Sequence, residues 1–134
     1  MRSRPCDRAT ALGRLRKAEH FLEQAELLRE LTIKGESGDA YVSLCVLAGI
    51  AAADAICCDA LGLHAQGESH HEAVQLLKSV RPGGTELGNA LGVLLGFKSR
   101  AAYAAAAVPE EMHKRSGRQA KKLVSAAEER VRLS

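Results

Sequence analysis

Apolar residues recur at helical spacing along five segments of this 134-residue chain, and no window alternates with the period of a strand. The first segment runs from about Cys6 to Ile33 and sets Leu15, Ala18, Leu22, Ala25 and Leu28 on one stripe. The glycines of Lys34-Gly35-Glu36-Ser37-Gly38 end it. The second, from about Asp39 to Leu61, is apolar nearly all the way round, the pattern of a helix surrounded by others. A short third segment, about Ser69 to Val80, opens on a Ser69/Glu72 capping box and stops at Pro82-Gly83-Gly84. The fourth, about Thr85 to Ala107, carries Leu87, Leu91, Leu94 and Leu95 on one face and then becomes alanine-rich. Pro109 suits a first helical turn, and the fifth segment, about Glu110 to Arg132, has the stripe Ala120, Leu123, Val124, Ala127 and Val131. Short connections between long helices favour antiparallel neighbours. The pattern predicts a single all-α domain over residues 1–134, an up-and-down bundle of four long helices plus one short one.

Composition agrees with a packed domain: 46% of residues are hydrophobic and 26% charged, which excludes a disordered chain. Aromatic residues make up 3%, too few for base-stacking platforms on single-stranded nucleic acid. Cys6, Cys45, Cys57 and Cys58 form no Cys-x-x-Cys pair, and read as small buried hydrophobes in a reducing compartment. The basic stretch Met1 to Lys17 has no apolar core, so no secretory signal is expected there. The uncharged run between Asp39 and Asp54 is too short to span a bilayer. The expectation is a cytoplasmic protein with no membrane association.

Charge divides the chain. Residues 1–34 carry a net +3, residues 35–108 a net −3, and residues 109–134 a net +3. Lys114, Arg118, Lys121 and Lys122, with Arg115 beside them, share one helical face that could follow a phosphate backbone. Asp54 lies in the most apolar helix and needs a partner. Lys98, which continues the inward stripe of the fourth helix, is the expected one, with Arg100 and Tyr103 on an adjacent face. Glu68-x-x-His71 and Glu110-x-x-His113 have the spacing of carboxylate-bridged di-iron bundles. Both fall at helix starts, where Glu is expected from the helix dipole alone, so neither a metal nor another cofactor is expected. Gly88, Gly92 and Gly96 recur every four residues and predict close helix packing; no phosphate-cradling glycine motif or nucleophile elbow is present.

The order of these elements resembles the HEPN-domain family of small helical proteins. The resemblance rests on Arg16-Lys-Ala-Glu-His-Phe-Leu-Glu-Gln-Ala25, Ala51-Ala-Ala-Asp-Ala-Ile56, the segment Gly67 to Leu77, and Leu94-Leu-Gly-Phe-Lys-Ser-Arg-Ala-Ala-Tyr103. It implies a bundle that dimerises, with toxin–antitoxin or nucleotidyltransferase partners, and in some members metal-independent ribonuclease activity from an Arg/His pair. Here twelve residues separate Arg100 from His113, and Arg14-x5-His20 has the family spacing but lies on the first helix. The expectation is therefore a non-catalytic nucleotide- or protein-binding module, possessing a site built from Asp54, His71, Lys98, Arg100 and Tyr103. The alternative is a ribonuclease using Arg100 with His113 or Arg14 with His20; a metal-dependent bundle enzyme stands third.

Overall fold

The computed structural model describes residues 3–31, 38–66 and 70–133. In chain order these form β1 (Ser3–Pro5), α1 (Arg8–Leu31), α2 (Gly38–Leu61), β2 (Leu63–Ala65), α3 (His70–Lys78), α4 (Gly84–Tyr103) and α5 (Glu110–Leu133). The architecture is the expected one: an up-and-down bundle of the four long helices α1, α2, α4 and α5, with α3 as the short fifth. Every expected stripe position of α4 and α5 is buried, as are Leu15, Ala18 and Ala25 of α1.

Helix α2 occupies the centre, packing on α1, α4, α5 and α3. By length and hydropathy its 23 residues from Asp39 to Leu61 could cross a membrane, but 72% of the most apolar window is buried inside the bundle. Its alanines are what let four neighbours approach. Gly49 carries this furthest, since a Cβ there would lie 2.5 Å from Leu94 Cδ1. The Gly88/Gly92/Gly96 ridge packs elsewhere. Gly88 lies against Lys78 and Val74 of α3, Gly92 approaches Val74, and Gly96 has open space around it.

Local chemistry moves several element ends. Helix α1 starts at Arg8 because the Asp7 carboxylate accepts from the Thr10 amide (2.9 Å) and hydroxyl (2.9 Å), a cap that holds the Asp7 carboxyl below its usual range. The Ser69/Glu72 capping box lies partly outside the described residues, because Ser69 does. Helix α4 stops at Tyr103 instead of continuing through the alanines: Ala104 is extended (φ −70°, ψ 144°). The chain must turn between α4 and α5, and that connection overrides alanine's helix propensity at Ala104. Asp39 on the first turn of α2 anchors that connection by accepting the Val108 amide at 2.9 Å.

Two findings depart from the sequence reading. The segments of three residues on either side of α1 and α2 form a small antiparallel ribbon, pairing Ser3 with Ala65, Arg4 with His64 and Pro5 with Leu63. The turn at Gly62 (φ 69°) makes this pairing feasible, and the Cys6 amide donates to the Gly62 carbonyl at 2.9 Å. The ribbon brings Cys6 to Cys58, 52 residues away, and the two form a disulfide with Cα atoms 5.7 Å apart. Reading all four cysteines as reduced hydrophobes is thus corrected for Cys6 and Cys58. It holds for Cys45 and Cys57, which are free and buried.

Candidate functional site

The polar cluster that the fold builds around Asp54 differs from the expected one. Arg14 and Asp54 meet across antiparallel α1 and α2, with Arg14 Nη2 2.8 Å from Asp54 Oδ2. The Asp54 side chain retains 18% exposure and that of Arg14 29%, so the pair sits at the rim of the core. Burial pushes the Asp54 carboxyl above its usual range, and the charges of Arg14 and His64 oppose that shift without cancelling it. Arg14 Nε is buried without a hydrogen-bond partner. His64 stands on β2, its Nδ1 2.9 Å from the Ala65 carbonyl oxygen. A carbonyl only accepts, so the proton is on Nδ1, leaving Nε2 as an acceptor or base. Behind the pair, burial and the Asp54 charge push the Cys57 thiol up to about 12, which makes it inert as a nucleophile.

Lys98 is not the partner of Asp54. Gly49 on α2 faces Leu94 on α4, and the two helices run antiparallel, as the link from Asp39 to Val108 shows. One turn beyond Leu94, Lys98 therefore lies towards the start of α2, away from Asp54. Arg100 and Tyr103 (83% exposed) fall on the last turn of α4, at the far end of the bundle. His71 is exposed on the first turn of α3. The five expected residues are spread along the molecule, and only Asp54 belongs to the cluster. Arg14 was expected solely as half of a pair with His20. Six residues on one helix rotate by about 600°, which leaves the two side chains about 120° apart, so that pair points in different directions, and His20 is exposed.

His113 lies at the opposite end. Its ring is 4.2 Å from that of Tyr41, centroid to centroid, and Arg29 sits 5.8 Å from the Tyr41 ring centre. Burial lowers the His113 pKa; Glu110 raises it and Arg29 lowers it. The Tyr41 hydroxyl is buried without a hydrogen-bond partner, beside Cys45, and burial pushes the two groups up to about 12 and about 11.

The basic face of α5 does not present a continuous row of cations. Lys121 turns to Glu26 of α1 (3.7 Å) and Lys122 to Glu86 of α4 (3.9 Å), on opposite flanks of the helix. Arg118 lies 3.7 Å from Glu111, and Arg115 stacks over Phe97 at 5.6 Å; Lys114 is exposed. Such exposed pairs stabilise by little, but they divide the charge that a phosphate backbone would need. The metal reading fares similarly. Glu68 lies outside the described residues, Glu110 and His113 sit at the start of α5, and no group of three or more His, Cys, Asp or Glu side chains suited to a metal occurs among the described residues. Two open cavities of about 470 and 250 Å³ follow the α4–α5 seam, and neither is lined by Arg14, Asp54 or His64.

Compared with known proteins, the chain matches no family model and no curated protein.

Proposed function

We propose that this chain is a HEPN-like helical bundle that binds a phosphate-bearing nucleotide, without cleaving nucleic acid, at Arg14, Asp54 and His64. The observation that carries the reading is the Arg14–Asp54 pair: a guanidinium held at the core rim by a carboxylate, still partly exposed, with the His64 imidazole nearby. A fixed guanidinium offers planar donors to phosphate oxygens, and Nε2 of His64 supplies an acceptor or, when protonated, a further donor. Catalysis is disfavoured because neither expected Arg/His pair is assembled. Calorimetric titration with ATP, AMP and inorganic phosphate tests the site. Nucleotide binding that is lost in Arg14→Gln supports it, and absence of binding by all three refutes it.

One observation favours the ribonuclease alternative. Arg29 acts on His113 from across Tyr41, a cation and an imidazole close together in an arrangement the sequence did not suggest. Total RNA and tRNA should nevertheless stay intact with and without chelator; chelator-resistant cleavage abolished by His113→Ala would establish the nuclease.

The proposal includes a homodimer, with a nucleotidyltransferase or antitoxin as the class of heterologous partner implied by the HEPN resemblance. Its physical support is the outward stripe of α2, where Leu47 is 43% exposed and Ile50, one turn on, is half-buried. An apolar patch on a soluble bundle is covered most simply by its own copy through a two-fold axis. Sedimentation should give a dimer that Leu47→Glu converts to a monomer; a wild-type species of 14.3 kDa at micromolar concentration would exclude it.

A further inference from the structure

The disulfide and the candidate site share one edge of the bundle. Cys58 lies one helical turn beyond Asp54 on α2, on the same face, and its partner Cys6 directly follows β1. Across the ribbon, Arg4 of β1 is the register partner of His64, the residue that brings an imidazole towards Asp54. Among the described residues, β1 is tied down by the disulfide, by three residue pairs and by the Cys6 amide on the Gly62 carbonyl, and just beyond it Arg8, half exposed, lies 3.6 Å from Asp59. A two-stranded ribbon of this length is marginal in water without a further tie.

We infer that the Cys6–Cys58 disulfide is a redox latch: its reduction releases β1 from β2 and opens the Arg14–Asp54–His64 site. The reductant is a dithiol. One of its thiolates attacks a sulfur of the disulfide, forming a mixed disulfide and freeing one cysteine. Its second thiol then displaces the other cysteine. Two electrons and two protons pass to Cys6 and Cys58, and the dithiol leaves as its own disulfide. Cys57, adjacent to Cys58 but buried, takes no part. With β1 gone, β2 loses the strand paired with it among the described residues but keeps its packing on α2 and α3, so His64 stays beside Asp54 while the outer strand leaves the rim of the site.

The inference rests on the nucleotide reading for its consequence, though not for its mechanics, and the experiment separates the two. The full chain is compared oxidised and after treatment with dithiothreitol. Three quantities are read: exchange of the Cys6 amide by NMR, the rate at which a dicarbonyl reagent modifies Arg14, and ATP affinity by calorimetry. Reduction should speed Cys6 exchange at least about tenfold and raise Arg14 reactivity and ATP affinity, while the core amides of α5 stay protected. Cys6→Ser should behave as the reduced protein, and Cys57→Ser should respond to dithiothreitol as wild type does. Unchanged Cys6 exchange overturns the latch. So does loss of α5 protection along with it, since the disulfide would then staple the whole fold. Release of β1 with identical ATP affinity in both states also overturns it. Faster Cys6 exchange and Arg14 modification with no ATP binding in either state would refute the nucleotide reading while leaving the latch in place.

Discussion

Arg14→Ala should lower the unfolding free energy by about 3 kcal/mol at neutral pH, while Asp54→Asn should change it by less than about 1 kcal/mol. The asymmetry follows from which member of the pair the core disfavours. Burial acts on the Asp54 carboxylate more strongly than Arg14 and His64 compensate, so its pKa in the folded protein lies above the unfolded value. Asparagine removes the charge that was hard to bury and keeps an oxygen for the guanidinium. Removing Arg14 instead leaves the carboxylate in place without its closest counter-charge. The sign of the pH dependence is fixed by the same shift. A carboxyl whose folded pKa is raised contributes stability that is fully present below the unfolded pKa and is lost as pH rises through the folded one. Without Arg14 the shift grows, so the deficit of Arg14→Ala relative to wild type should be largest at neutral pH and shrink as the solution is acidified. Urea denaturation at neutral and mildly acidic pH measures this. Adding Asp54→Asn to Arg14→Ala should restore much of the loss. Equal losses from the two single substitutions, independent of pH, would show that Asp54 is as comfortable charged as neutral.

The second large effect lies at the other end of the bundle. A Cβ at Gly117 would land on the Tyr41 hydroxyl oxygen, while the ring carbon bearing it is 3.5 Å away. Tyr41 is 1% exposed and confined by its neighbours, so the ring has little room to retreat. Gly117→Ala should therefore cost about 2–3 kcal/mol, despite alanine's better helix propensity. Tyr41→Phe should stabilise by up to about 1 kcal/mol, because it removes a buried hydroxyl that has no hydrogen-bond partner. In a phenylalanine background the alanine methyl meets only ordinary van der Waals contact. The double variant Gly117→Ala/Tyr41→Phe should then unfold near the wild-type midpoint, a coupling that thermal melts of the four proteins would resolve. Additive losses would mean that the clash lies with something other than the hydroxyl.

These two sites also show what could be read from the chain. Helical periodicity fixes which face of each helix is buried, and the stripes of α4 and α5 were legible because Leu87, Leu91, Leu94, Leu123 and Val131 follow it without interruption. The demand of Asp54 for a counter-charge was legible too, since a carboxylate in an apolar helix needs one. Its partner was not. Choosing between Arg14 and Lys98 requires the offset between neighbouring helices, which Gly49 against Leu94 sets for α2 and α4 and which periodicity does not encode. The ribbon and its disulfide escaped for a similar reason. Three residues are too few to show a strand period, and Cys6 reaches Cys58 only once α1 and α2 have folded back on each other. The arrest of α4 at Tyr103 is a tertiary decision made against the preference of four consecutive alanines.

The central position of α2 has a consequence for synthesis. Its apolar surface is shared among α1, which is made before it, and α4 and α5, which follow, α5 being the last element in the order. An emerging chain therefore carries α2 incompletely covered while about seventy further residues, up to the end of α5, are assembled. During that interval its 23-residue span from Asp39 to Leu61 has the same mean hydropathy as a membrane-bound helix to any factor that samples nascent chains by hydropathy. Native burial arrives late and through contacts distant in sequence, so the speed with which α5 docks decides how long this segment stays open to chaperones or to misdirection.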